Sequence, residues 1–87
     1  MTLRIGYKSA FFRDFNKLPA ALQDEVEERI ELFRMDSRHP SLRVHKLKGK
    51  MVGQWSFSVN YSHRIVFQYE DKRTAVLIAV GDHDVYK

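Results

Sequence analysis

Residues 54–80 read QWSFSVNYSHRIVFQYEDKRTAVLIAV, three apolar runs separated by two polar breaks. Trp55, Phe57 and Val59 alternate with polar residues, which predicts a strand with one polar face. A turn at residues 60–62 and a second strand at residues 63–69 follow, and residues 70–73 form a charged hairpin tip. Residues 74–80 are nearly all apolar and predict a central strand buried on both faces. The stretch therefore predicts an antiparallel meander.

The first 36 residues predict one strand and two helices. Apolar and polar side chains alternate over residues 3–7, as in a half-buried strand. Ser9 is placed to N-cap a short helix, Ala10–Lys17, and Pro19 fits the first turn of a longer one. The longer helix carries one apolar stripe, at i, i+4, i+8 and i+11. Its members are Leu22, Val26, Ile30 and Phe33.

The order of these elements predicts an α+β fold. We expect the N-terminal strand and a helical hairpin to pack on a small antiparallel C-terminal sheet, with the helices covering one face. Eighty-seven residues, 44% of them hydrophobic, suit one domain spanning residues 1–87. The absence of Cys excludes disulfides, thiolate nucleophiles and Cys-based metal sites. No signal peptide and no apolar run of about 20 residues is visible, so the expected location is the cytoplasm.

Positive charge is concentrated in the second part of the chain. Residues 1–36 hold six Lys/Arg against seven Asp/Glu, whereas residues 37–87 hold nine against four. Residues 37–69 contain no acidic residue and three of the four histidines. A cationic field attracts polyanions, and imidazoles within it can move protons near neutral pH. This pattern favours a protein that binds RNA and cleaves it, the alternative being a basic solvated surface.

The motif HKLKG at residues 45–49 lies in this basic region. If it is extended, Lys46 and Lys48 point to one side and His45 to the other. Together with Arg43 and Lys50, these lysines could hold phosphates as point charges. A solvated loop is the alternative interpretation for any single one of them.

Three further residues could contribute chemistry. Arg64 stands in an otherwise apolar strand, where a permanent charge must face a cleft, a partner or solvent. Facing a cleft, its forked donors could grip a phosphate, whereas a structural role would pair it with Glu70 or Asp82. His83 follows the most apolar strand among carboxylates that could orient it, and Tyr86 could stack on a base.

The sequence lacks the motifs of several other reaction classes. It contains no His-x-x-x-His pair, no phosphate-cradling Gly-rich loop, no nucleophile elbow and no dinucleotide fingerprint. We therefore predict no metal and no cofactor. RNA cleavage by its own 2′-OH needs only a base, an acid and cationic stabilisation.

Four segments, in this order and spacing, resemble the RelE/ParE superfamily of toxins from type II toxin–antitoxin modules. They are residues 15–19 (FNKLP), residues 45–49 (HKLKG), residues 61–67 (YSHRIVF) and residues 80–86 (VGDHDVY). The pattern is most similar to the RelE and YafQ branch, whose members cleave mRNA in the ribosomal A site without metal. The resemblance implies the α+β fold derived above and covers nearly the whole chain.

Roles for individual residues follow from this resemblance. Arg64 matches the arginine that contacts the scissile phosphate, His45 and His83 match catalytic histidines of the YafQ type, and Tyr86 matches a C-terminal aromatic. Ser56 and Ser58 replace lysines of RelE, which favours a two-histidine mechanism with His45 as base. The implied partners are the ribosome with its mRNA and an acidic, partly disordered cognate antitoxin, in a complex of higher-order oligomeric state.

Two rival functions remain for the same fold. The first is a ParE-like inhibitor of DNA gyrase, which needs no catalytic histidines. The second is a catalytically inactive module whose basic surface binds only the antitoxin. The pair His45 and His83 argues for the ribonuclease.

Overall fold

The computed structural model describes residues 2–82 and 85, without the side chain of Lys50. In chain order, the elements are β1 (Arg4–Tyr7), α1 (Ser9–Asn16), α2 (Ala20–Met35), β2 (His45–Lys46), β3 (Trp55–Ser58), β4 (Arg64–Asp71) and β5 (Thr74–Gly81). Two 3₁₀ turns, Pro40–Leu42 and Gly49–Met51, flank β2.

The strands form one mixed sheet in the order β1-β5-β4-β3-β2. Strands β2 to β5 pair antiparallel, which confirms the predicted C-terminal meander and α+β fold. Strand β1 pairs parallel with β5, Arg4 opposite Thr74, because two helices carry the chain across one face before β5 is reached. Strand β5 is therefore central, between β1 and β4.

The core lies between the helices and one face of the sheet. Val26, Ile30 and Phe33 of the predicted stripe are buried, and Leu22 packs against the core at its margin. The Phe33 ring stacks on Phe57 of β3, with ring centroids 4.4 Å apart. This contact fixes which face of β3 is turned towards α2, and so which side chains point away from it.

Three local predictions need correction. Ser9 lies inside α1, and Lys8 occupies the N-cap position, because its amide still bonds to Leu77 of β5 and the helix begins directly afterwards. Pro19 stands at the N-cap of α2, just before the first helical turn. Strand β5 is fully buried at only three of its eight positions, because no second layer of helices covers its other face within the described residues.

The alternation of polar residues predicted a solvated polar face on β3, and this prediction is also wrong. Ser56 and Ser58 are buried, at 0% and 8% exposure, and Val66 beside them on β4 is buried too. We call this surface, turned away from α1 and α2, the back face. Neither α1 nor α2 is both long and apolar enough to cross a lipid bilayer.

Candidate active site

Strand pairing brings His45 and Arg64 to the back face. His45 pairs with Ser56, and Ser58 pairs with Arg64. Because alternate residues of a strand point to opposite faces and Phe57 points to α2, Ser56 and Ser58 point to the back face together with their partners. From the spacing of strands and residues, the Cα atoms of His45 and Arg64 lie about 12 Å apart. The sequence had placed both in the site, and the register puts them on one surface.

Two contacts hold the His45 ring, which is exposed. Its Nδ1 lies 2.9 Å from the carbonyl oxygen of Arg43, and its Nε2 lies 3.5 Å from Oγ of Ser56. A carbonyl only accepts, so Nδ1 carries the hydrogen and donates it. In the neutral ring Nε2 therefore holds the lone pair. His45 is thus oriented as a proton acceptor on the back face.

A fixed turn supports the carbonyl that holds His45. Arg43 has φ 51°, in the left-handed region, and ends the 3₁₀ turn Pro40–Leu42. Leu42 is fully buried and anchors the turn in the core. From α2, Arg29 donates to the Ser41 carbonyl at 2.8 Å, to Ser41 Oγ at 3.2 Å and to the Ser58 carbonyl at 3.3 Å. Arg29 therefore ties this turn to both α2 and β3.

Arg64 folds back over the turn between β3 and β4. Its Nη1 donates to the carbonyls of Asn60 at 2.6 Å, His63 at 3.0 Å and Tyr61 at 3.3 Å. Among the described residues, none accepts a hydrogen bond from its Nε or Nη2. The predicted structural alternative, an ion pair with Glu70 or Asp82, is not formed within residues 2–82. One edge of the guanidinium thus retains two donors for an anion.

The basic residues near His45 are not gathered on its face. Lys46 points to the helix side, with its Nζ 5.4 Å from the centroid of the Trp55 ring, as the predicted alternation requires. Lys48 is exposed and precedes the second 3₁₀ turn, so the extended segment ends after two residues. Arg43 is exposed, and the Lys50 side chain lies outside the described structure.

Two predicted site residues, His83 and Tyr86, lie outside the described residues. Of the described residues nearby in the chain, Gly81 pairs with Arg64, and a side chain at position 81 would contact Val85. The Val85 amide donates to the Asp82 carbonyl at 3.0 Å.

Sequence analysis missed the roles of Arg29 and Asn60. The Asn60 side chain donates to Glu25 of α2 at 2.7 Å and accepts from the amides of Ser62 and His63. The hydrogen bonds from the Ser62 and His63 amides were predictable, because the side chain of an Asn in a turn commonly accepts from nearby amides. Nothing in the sequence indicated the hydrogen bond to Glu25. Within residues 2–82, no three His, Asp or Glu side chains form a group that could hold a metal ion.

The fold of this chain is similar to the folds of several solved structures. No protein-family model and no curated protein sequence matches the chain. A YoeB/ParE toxin from Agrobacterium tumefaciens is similar over 93% of this chain and 99% of its own, with 18% identity and a TM-score of 0.75. YafQ from Escherichia coli is similar over 97% of both chains, with 11% identity and a TM-score of 0.79.

A third similar structure contains an antitoxin. It is the YoeB–YefM complex from Staphylococcus aureus, with 20% identity over 95% of this chain and 99% of the other, and a TM-score of 0.70. At these identities the similarity shows the fold. The resemblance to the RelE/ParE superfamily, stated from sequence motifs, is therefore confirmed at the level of the fold.

Proposed function

From a fold shared with toxins of the YoeB/ParE and YafQ types, we propose that this chain is the toxin of a type II toxin–antitoxin pair and cleaves mRNA on the ribosome. The observation that carries the proposal is the pair on the back face. His45 is held with Nε2 as acceptor, and Arg64, whose strand position is on the same face, donates from Nε and Nη2 to none of the described residues. A proton acceptor and a forked cation on one face of the sheet suit cleavage of a phosphodiester.

In the proposed reaction, His45 Nε2 takes the proton of a ribose 2′-OH. The 2′-oxygen attacks the adjacent phosphorus, and the bond from phosphorus to the 5′-oxygen breaks. The products are a 2′,3′-cyclic phosphate and a free 5′-hydroxyl, so one proton is taken up and one is supplied. Arg64 stabilises the charge that develops on the phosphoryl oxygens.

The remaining roles rest on the resemblance. His83 is proposed to supply the proton to the leaving 5′-oxygen, and Tyr86 to stack on a nucleotide. The cations Arg43, Lys46, Lys48 and Lys50 are proposed to bind RNA phosphates. On this proposal the protein acts in the cytoplasm as one domain, residues 1–87.

The proposed regulator is a cognate antitoxin. Support comes from the similar YoeB chain, which was solved in complex with YefM, and from the net charge of +4 on this chain. An acidic, partly disordered segment that folds on binding would match this charge. We also propose that the complex of the two proteins forms a higher-order oligomer.

The test is single-turnover cleavage of mRNA on purified ribosomes by His45→Gln and by His63→Gln as the matched control. Gln cannot exchange a proton, so the His45 variant should be roughly 10²- to 10⁴-fold slower. The acidic limb of its pH–rate profile should disappear, because that limb reports deprotonation of the base. His63, whose Nδ1 contacts Asn60 in the turn, should be replaceable with little loss of rate.

Two results would contradict the proposal. If His45→Gln cleaves at the wild-type rate, His45 is not the base. If induction in growing cells breaks DNA and leaves mRNA intact, the chain acts as a ParE-like gyrase inhibitor instead. Growth arrest alone does not discriminate, so mRNA and DNA integrity are measured in the same cultures.

A further inference from the structure

A groove of about 840 Å³ lies at the end of the sheet where β4 turns into β5. Arg38, Tyr69, Lys72 and Arg73 are among its lining residues. A second groove of about 430 Å³ shares Arg38 and Tyr69 with the first and continues to Arg43 and Trp55. We call the two together the hairpin groove. It lies on the helix side of the sheet edge, separate from the back face.

Positive charge dominates the hairpin groove. Four cations line it, namely Arg38, Arg43, Lys72 and Arg73, against the carboxylates Asp36 and Asp71. Asp71 is already engaged, because it accepts from the Arg73 amide at 2.8 Å, and this bond lowers its pKa. Within residues 2–82, none of the four cations has a carboxylate within ion-pair distance. The groove therefore carries excess charge that an anionic polymer would neutralise.

Two aromatic rings lie between these cations. Tyr69 is 36% exposed, and its ring meets the Trp55 ring edge to face with centroids 5.2 Å apart. Burial raises the pKa of Tyr69, and the positive charge of nearby Arg38 acts in the opposite direction. Basic side chains interleaved with aromatic rings are the pattern that holds single-stranded nucleic acid, through phosphate contacts and base stacking.

The hairpin groove begins beside His45. Arg43 lines the groove, while its carbonyl accepts the hydrogen of His45 Nδ1. Lys46 follows His45 and points to the opposite side of the two-residue strand β2, over Trp55. A strand of RNA that leaves His45 around this edge therefore meets Lys46, Trp55 and Arg43 first, and then Arg38 and Tyr69.

We propose that the hairpin groove binds the single-stranded segment of substrate RNA that continues from the cleaved phosphodiester. This inference rests on the proposed function for the identity of the RNA. An acidic peptide would satisfy the four cations as well, but it would not stack on the exposed part of the Tyr69 ring. The aromatic ring is what favours RNA over a protein segment.

Binding of RNA to the purified full chain tests the inference without any cleavage step. The probe is a fluorescent single strand of about nine nucleotides, 2′-O-methylated throughout so that no 2′-OH can react. Anisotropy gives Kd at several salt concentrations for the wild type and for Arg38→Ala, Tyr69→Leu and Tyr69→Phe. Arg13→Ala, a cation of α1 outside the groove, is the matched control, and melting temperatures verify folding.

The expected results differ for each variant. Loss of one phosphate contact in Arg38→Ala should reduce the slope of log K against log salt by about 0.7. Loss of one stacked base in Tyr69→Leu should weaken binding roughly 5- to 160-fold. Tyr69→Phe retains the ring and should bind like the wild type. Arg13→Ala should leave both affinity and salt slope close to the wild-type values.

Two outcomes would overturn the inference. Wild-type affinity and salt slope in both Arg38→Ala and Tyr69→Leu would show that the RNA lies elsewhere. The second outcome is a deca-glutamate peptide that binds as tightly as the RNA, with Tyr69→Leu changing the Kd of neither. The groove would then be a site for acidic protein segments. Because His45→Gln on ribosomes tests cleavage and this assay tests binding, failure of either proposal is distinguishable from failure of the other.

Discussion

Replacement of Arg29 by Met tests whether the Pro40–Leu42 turn positions His45. The substitution keeps an apolar stem and removes three hydrogen bonds, two of them to backbone carbonyls. Hydrogen bonds to charged groups contribute up to about 3 kcal/mol each, but Arg29 is half-buried, and water replaces part of the loss. We expect the free energy of unfolding to fall by about 2–3 kcal/mol in total. For a chain of this size, the melting temperature should fall by roughly 8–24 °C.

Catalysis should change as well, at temperatures where both proteins are folded. A turn no longer tied to α2 holds the Arg43 carbonyl less firmly against His45 Nδ1. That hydrogen bond contributes about 1 kcal/mol to the tautomer with the lone pair on Nε2, so cleavage on ribosomes should slow about fivefold. The acidic limb of the pH–rate profile should also shift, which a defect confined to folding would not produce.

Urea denaturation, thermal melts and single-turnover cleavage measure these effects on the same preparations. Arg34→Met is the matched control on α2, because Arg34 forms an exposed ion pair with Glu31, and such pairs contribute little to stability. An Arg29→Met protein that melts with the wild type would show that the three bonds are weak. One that melts lower but cleaves with an unchanged rate and pH profile would separate the turn from His45.

Three further predictions concern single positions. Arg64→Lys keeps the positive charge but loses the paired N–H donors of the guanidinium, so the rate of cleavage on ribosomes should fall well below that of the wild type. A rate close to the wild-type value would show that Arg64 acts only through its charge. Arg43→Gly removes the strain of the positive φ but increases the conformational freedom of the unfolded chain, so the melting temperature should change little. The affinity for the methylated RNA should fall, and a large loss of stability would contradict the compensation of these two effects. The Arg73 amide lowers the pKa of Asp71 in the folded state, so Asp71 contributes stability above its unfolded pKa that is lost as pH falls through the folded value. The difference in urea midpoint between wild type and Asp71→Asn should therefore shrink between pH 7 and pH 3, and a constant difference would refute the assignment.

The sequence predicted β1, both helices, strands β3 to β5 and the helix-side core because hydrophobic periodicity reports burial directly, whereas β2 was not predicted as a strand. Val26, Ile30 and Phe33 recur at helical spacing and are buried, and the alternation of Trp55 and Phe57 gave the correct face of β3. The parallel pairing of β1 with β5 was not predicted, because a strand's own pattern carries no information about the direction of its neighbour.

The sequence supplied candidate residues for the site but not their geometry. His45 and Arg64 were chosen by charge and chemistry, and the structure brings them to one face. Burial of Ser56 and Ser58 reversed the expectation of a solvated polar face, since hydroxyls are small enough to be covered. The bonds from Arg29 join α2 to segments 12 and 29 residues away, a distance over which no local pattern extends.

The hydrogen bonds of Arg64 to its own turn bear on the entropy of ligand binding. A free arginine side chain loses about 1.5–2 kcal/mol of conformational freedom when it becomes ordered. Here Nη1 is bound to three carbonyls of its own turn, so most of that loss occurs when the chain folds. An anion that meets Nε and Nη2 would find the guanidinium already oriented. On the proposed function, the turn that closes the β3–β4 hairpin therefore preorganises Arg64 for a phosphate, and the affinity depends on the three carbonyls behind the guanidinium.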